Sequence, residues 1–114
     1  MPHPLEVPDE VELLAFFGAE PTDRSIDDGY WCYEVTDQRG ITLRLSFNIF
    51  EQSIQTTMSL GQTPIATVNH ESARRMVVRD DRLQCEFSSA DSRATLTVEN
   101  GPNLSVVWST LRVQ

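Results

Sequence analysis

The sequence predicts an α+β, mainly-β single domain: a curved antiparallel meander sheet or half-open barrel of seven or eight strands, with one N-terminal helix packed against it. Three observations carry this. The stretch 41–60 alternates apolar and polar residues, with Ile41, Leu43, Leu45 and Phe47, then Ile54, Thr56, Met58 and Leu60, on one side. A period of two sends successive side chains to opposite faces, so each half is a strand with one buried and one wet face. Similar segments recur to residue 112 across short turns, and short turns force antiparallel neighbours. One capped helical pattern, at residues 9–18, stands ahead of them. A chain of 114 residues suits a single core.

The elements follow in order. Residues 1–8 hold three of the six prolines and read as a loose arm. Asp9 with Glu12 three positions on makes a capping-box pattern, and acids in a first turn suit the helix dipole. Val11, Leu14, Ala15 and Gly18 share one side of that helix, broadened by Leu13, Phe16 and Phe17. Gly18 is its natural stop and Pro21 bars continuation. Residues 19–29 are a loop by composition. The meander is expected over 30–112. Tyr30–Val35 has high strand propensity, and Asp37-Gln38-Arg39-Gly40 turns the chain into the 41–47 strand. Phe50 is a candidate apolar anchor of the next connection. Residues 65–69 follow a turn at 60–64, and residues 70–76 break the alternation as one helical turn or a bulged strand. Alternation resumes through Leu83, Cys85 and Phe87 and through Ala94, Leu96 and Val98. After Asn100-Gly101-Pro102-Asn103, the last strand carries Leu104, Val106 and Trp108, with Val107 and Leu111 suggesting cover on its second face.

Charge is the informative part of the composition. Net charge is −8, and every basic residue is arginine, a bias compatible with a GC-rich bacterial genome. Residues 1–37 hold Glu6, Asp9, Glu10, Glu12, Glu20, Asp23, Asp27, Asp28, Glu34 and Asp37 against Arg24 alone. Nucleic acid is disfavoured as a partner, because phosphate backbones require a basic footprint. A basic protein partner suits the field. No apolar run approaches the roughly 20 residues of a membrane-spanning helix. The first residues lack the charged and apolar regions of a secretory leader, so a cytoplasmic protein is expected, with Cys32 and Cys85 as buried free thiols.

Catalytic and metal chemistry find little support. His70-Glu71 beside Arg74-Arg75 is the one reactive-looking cluster, where His with a carboxylate could act as a base, but a solvated, charge-balanced connection between strands is the better account of it. His3 lies in the arm. There is no CxxC or HxxxH spacing, and Asp80-Asp81 and Asp27-Asp28-Gly29 lack the alternating acids and distal Glu of a calcium loop. No phosphate loop or nucleophile elbow is present. No enzyme activity, cofactor or metal is therefore expected. The candidate partner-binding residues are Glu20, Asp23, Asp27 and Asp28 in the loop, with Tyr30 and Trp31 as aromatic anchors of the kind interfaces favour. In a strand Trp31 and Tyr33 share one face and Tyr30 and Cys32 the other, so one pair is expected in the core.

The acidic capped helix Asp9–Phe17, the Asp23–Asp28 loop and the Gly-Ile-Thr-Leu-Arg-Leu-Ser-Phe hairpin at 40–47 give the chain a layout that resembles the small acidic immunity proteins bacteria encode beside secreted toxins. The resemblance implies a non-catalytic protein that binds a toxin domain, often a basic nuclease, and blocks its active site. Two other classes fit the same layout: a small-molecule carrier or enzyme with a pocket inside the curved sheet, and a structural module that assembles through an edge strand.

Overall fold

The computed structural model describes residues 4–112, with side chains through residue 110; His3 and the side chain of Leu111 lie outside this range. One helix, α1 (Glu10–Phe17), leads into nine strands: β1 (Asp23–Ser25), β2 (Tyr30–Thr36), β3 (Ile41–Asn48), β4 (Ser53–Leu60), β5 (Thr63–His70), β6 (Ala73–Arg79), β7 (Arg82–Ser88), β8 (Ser92–Asn100) and β9 (Leu104–Arg112). All neighbours are antiparallel, and the chain runs through them as a meander. The meander folds in two at residues 71–72, giving a sheet ordered β1-β2-β3-β4-β5 and a second ordered β6-β7-β8-β9. Both sheets stay open, so the division between them takes the place of barrel closure.

The alternation of residues 41–60 acts as expected up to Met58; Leu60, on the same side, ends β4 51% exposed. Leu43, Leu45, Phe47 and Ile54 are buried, Ile41 and Met58 are half-buried, and Leu96 and Val98 meet them from the second sheet in one core. The same core takes in Leu13, Phe17, Met76, Leu83, Phe87 and Leu104. Both cysteines are free and buried. Asp9 caps α1 as the sequence implies, its Oδ1 accepting from Glu12 N at 2.8 Å, and Gly18 ends it in a left-handed conformation with its N–H on Leu14 O. The residue 70–76 irregularity is a bulge in β6 between Ala73 and Arg75, the bulged-strand alternative.

Four further details depart from the sequence reading. The buried stripe of α1 is Leu13 and Phe17, while Val11 is 74% and Leu14 41% exposed. The sheet supplies the reason: Phe17 stacks on Tyr33 at 4.5 Å, which rotates the helix away from its Val11–Leu14 side. The loop at 19–29 contains β1, whose three residues pair with Tyr30–Cys32. The arm is tied down over residues 4–8: Leu5 is buried with its N–H on Ile49 O, and Glu6 bridges β6 in parallel through Arg74 O and Met76 N. Val107 is 55% exposed, so the second face of β9 is uncovered there.

Candidate acidic interface

A meander sends its connections alternately to its two ends. In the first sheet, residues 26–29, 49–52 and 71–72 therefore meet at one end. Hydrogen bonds hold them there: Ile49 N donates to Gly29 O, Ala73 N to Gln52 O, and the Asn48 amide to Asp28 O. Gly29 lets two of them close up. It sits at φ 69°, and a Cβ there would lie 2.7 Å from the Phe50 ring and 2.8 Å from Cγ1 of Ile49. Phe50 itself remains 60% exposed over that glycine.

Where the connections meet, an open cleft of about 410 Å³ lies between Tyr30, Asn48, Glu51, Gln55, Asn69 and Glu71. Its lining includes two carboxylates and no arginine. Asp27 and Asp28, both exposed, stand on the adjoining turn, where Asp28 also accepts from the Ser25 hydroxyl at 2.7 Å. His70 forms part of the floor, with its ring 4.3 Å from Phe87 and 5.1 Å from Trp108. Burial in that aromatic setting lowers its pKa, so near neutral pH it is an uncharged packing group and adds no positive charge to the cleft.

The sequence candidates divide between this end and the helix side. Tyr30 lines the cleft. Trp31 points the other way, stacked on Phe47 at 5.7 Å, with its indole N–H buried and without an acceptor among the described residues. Tyr33 on the same face is fully buried, which makes Trp31 and Tyr33 the core pair. Asp23 is exposed on β1, its Oδ1 accepting from Arg24 N at 2.9 Å. Glu20 lies toward α1: burial first, then the charges of Glu10 and Glu20, raise the pKa of Tyr33, with Arg24 opposing. Arg24 is itself paired with Glu10 at 2.8 Å. The His70-Glu71-Arg74-Arg75 cluster is pulled apart. His70 faces Phe87 and Trp108, Glu71 is exposed at the cleft, and Arg74 donates to Ser88 O and Oγ.

Glu51 and Glu71 stand at this end without belonging to the acidic 1–37 segment that draws attention in the sequence. Strand parity holds the signal that would have placed them, because the start of β2, the β3–β4 turn and the exit of β5 must share one end. Charge follows the same division: all of the net charge of −8 belongs to residues before His70, while six acids and six arginines balance from His70 onward. Among the described residues no three His, Cys, Asp or Glu side chains are grouped to hold a metal ion, and no helix is long and apolar enough to cross a membrane.

No protein-family model matches the chain, and no curated protein matches it. Among solved structures it is similar to a chain of the contact-dependent growth inhibition toxin–immunity protein complex from Klebsiella pneumoniae 342. That similarity has a TM-score of 0.88 at 22% identity and covers 96% of this chain and 99% of the other. The two share a fold along nearly their whole lengths, in agreement with the toxin–immunity resemblance of the sequence.

Proposed function

We propose that this chain is an immunity-type protein, a non-catalytic binder that captures a basic toxin domain on the acidic end of its first sheet. The observation that carries the reading is the near full-length likeness to a chain of a toxin–immunity complex. Such a complex holds two kinds of chain, and this one's chemistry fits the inhibitor. Asp27, Asp28, Glu51 and Glu71 offer counter-charges to a cationic surface, and His70, the one described histidine, is packed among aromatics. The space beneath α1 is filled by Leu13, Phe17 and Tyr33 where a carrier would need its cavity, which further supports the binder.

The test is a binding measurement between the purified chain and the toxin domain encoded by the adjacent gene, paired with growth of cells expressing that toxin. A stable one-to-one complex and rescue of growth are expected. Toxicity that persists with the chain co-expressed and folded would overturn the proposal.

A further inference from the structure

We infer that the free edge of β5 accepts an extended segment of the partner as a sixth strand, and that a cationic side chain of that segment enters the Glu51–Glu71 cleft. This rests on the immunity reading and specifies its docking mode.

The edges of the two sheets differ in how they are guarded. β1 is three residues long and carries Asp23 and Arg24, a charged and short edge of the kind that resists further pairing. β6 is covered by Glu6 of the arm. β9 has its first residue taken by the β2–β3 turn, through Asp37 to Leu104 N and Arg39 to Leu104 O. β5 runs eight residues, contains no charged side chain of the Asp, Glu, Lys or Arg type, and is exposed at every position except the half-buried Val68 and His70. Its safeguards against pairing, Pro64 and the bulge that leaves Ile65 without a partner between Pro64 and Ala66, both lie near its start, and Ala66–His70 has neither.

Register specifies what an added strand would meet. On the wet face β5 presents Thr67, opposite Thr57, and Asn69, opposite Gln55. On the other face Ala66 and Val68 continue the rows of Met58 and Thr56, and exposure grows along each row from β3 to β5. A sixth strand would extend those apolar rows while its backbone satisfied the open edge. Its wet-face side chains would run past Asn69 toward the cleft, where two carboxylates with no arginine beside them suit a lysine or arginine. Charge also selects the occupant. Pairing β5 with the β5 of a second copy would bring together two copies of a sheet whose residues 23–70 hold six acids against three arginines, so the occupant is a basic partner.

Hydrogen–deuterium exchange on the free chain and on its complex with the adjacent gene's toxin domain tests this. In the complex, β5 amides should exchange at least about tenfold more slowly, and Glu51→Gln with Glu71→Gln should weaken Kd by about tenfold or more. Thr67→Lys, which places a cation on the edge, should weaken binding comparably while the far-UV spectrum stays unchanged. A complex that forms without new protection on β5, and that tolerates these variants at wild-type affinity, overturns the inference and leaves the immunity reading standing. A free chain whose β5 is already protected in a homodimer also overturns it. Failure to form any complex overturns both.

Discussion

Asp37 and Leu104, 67 residues apart, are joined by a hydrogen bond from Leu104 N to Asp37 Oδ2 at 2.9 Å, which ties the β2–β3 turn of one sheet to the first residue of β9 in the other. The same carboxylate accepts from Arg39 N, Ile41 N and the Arg39 guanidinium, and its side chain is sealed from solvent. Burial alone would raise its pKa; the donors outweigh burial and hold it at about 2, against an ordinary value of 3.8.

A carboxyl with a depressed folded pKa contributes stability that is present above its unfolded pKa and lost as pH falls through the folded one. The contribution of Asp37 should therefore be intact above about pH 4 and disappear between there and about pH 2. Thermal unfolding across that range checks it. Asp37→Asn should lower Tm at neutral pH and flatten the acid side of the curve.

Leu45 is fully buried at the centre of the first sheet. Leu45→Ala leaves a cavity between two sheets whose neighbours cannot all collapse into it, and should cost about 2–5 kcal/mol in chemical denaturation.

At Gly29 an alanine would meet both a left-handed backbone and the Phe50 and Ile49 side chains. Gly29→Ala should cost about 1–2 kcal/mol from the backbone alone. Adding Phe50→Ala in the same chain should recover part of whatever exceeds that, since the exposed ring is one of the two obstructions; urea denaturation of the single and double variants separates the two contributions.

How much of this was legible in the sequence depended on range. Period-two alternation placed Leu43, Leu45, Phe47 and Ile54 inward because strand geometry is local. The cap at Asp9 and the stop at Gly18 are local too. The inward face of α1 was not legible, because Leu13 and Phe17 win through a stacking partner, Tyr33, that lies in another element. Asp37 counted as one more surface acid, since its donors include Leu104, far along the chain. The candidate site was half legible. Asp27, Asp28 and Tyr30 lie at the acidic end, while Glu51 and Glu71 join them only through the return of alternate connections, and the stacking of Trp31 on Phe47 required the folded sheet.

His70 offers a second pH test. Its folded pKa lies below the ordinary 6.5, so it too contributes stability that is present above that value and lost as pH falls beneath it. Protonation would place a charge between Phe87 and Trp108. Tm should fall as pH drops below about 6.5, the ordinary value. His70→Leu, which keeps an apolar group there, should lose most of that fall while Asp37→Asn retains it.

The last prediction concerns charge on the β1–β2 side. Asp23 and Asp28 each accept a local hydrogen bond, from Arg24 N and from the Ser25 hydroxyl. An asparagine oxygen can accept the same bonds, so replacing Asp23, Asp27 and Asp28 with Asn removes three charges and leaves the turn its geometry. Exposed charges act on a partner's approach more than on its residence, and their reach is screened over about 8 Å at physiological salt. With the toxin domain as partner, association should slow as salt rises while dissociation changes less. The triple variant should associate more slowly at low salt and show a flatter salt dependence, with its dissociation rate near wild type. Stopped-flow association across a salt series measures both. Unchanged rates and an unchanged salt response would assign these three acids to solubility, and would leave Glu51 and Glu71 as the charges that meet the partner.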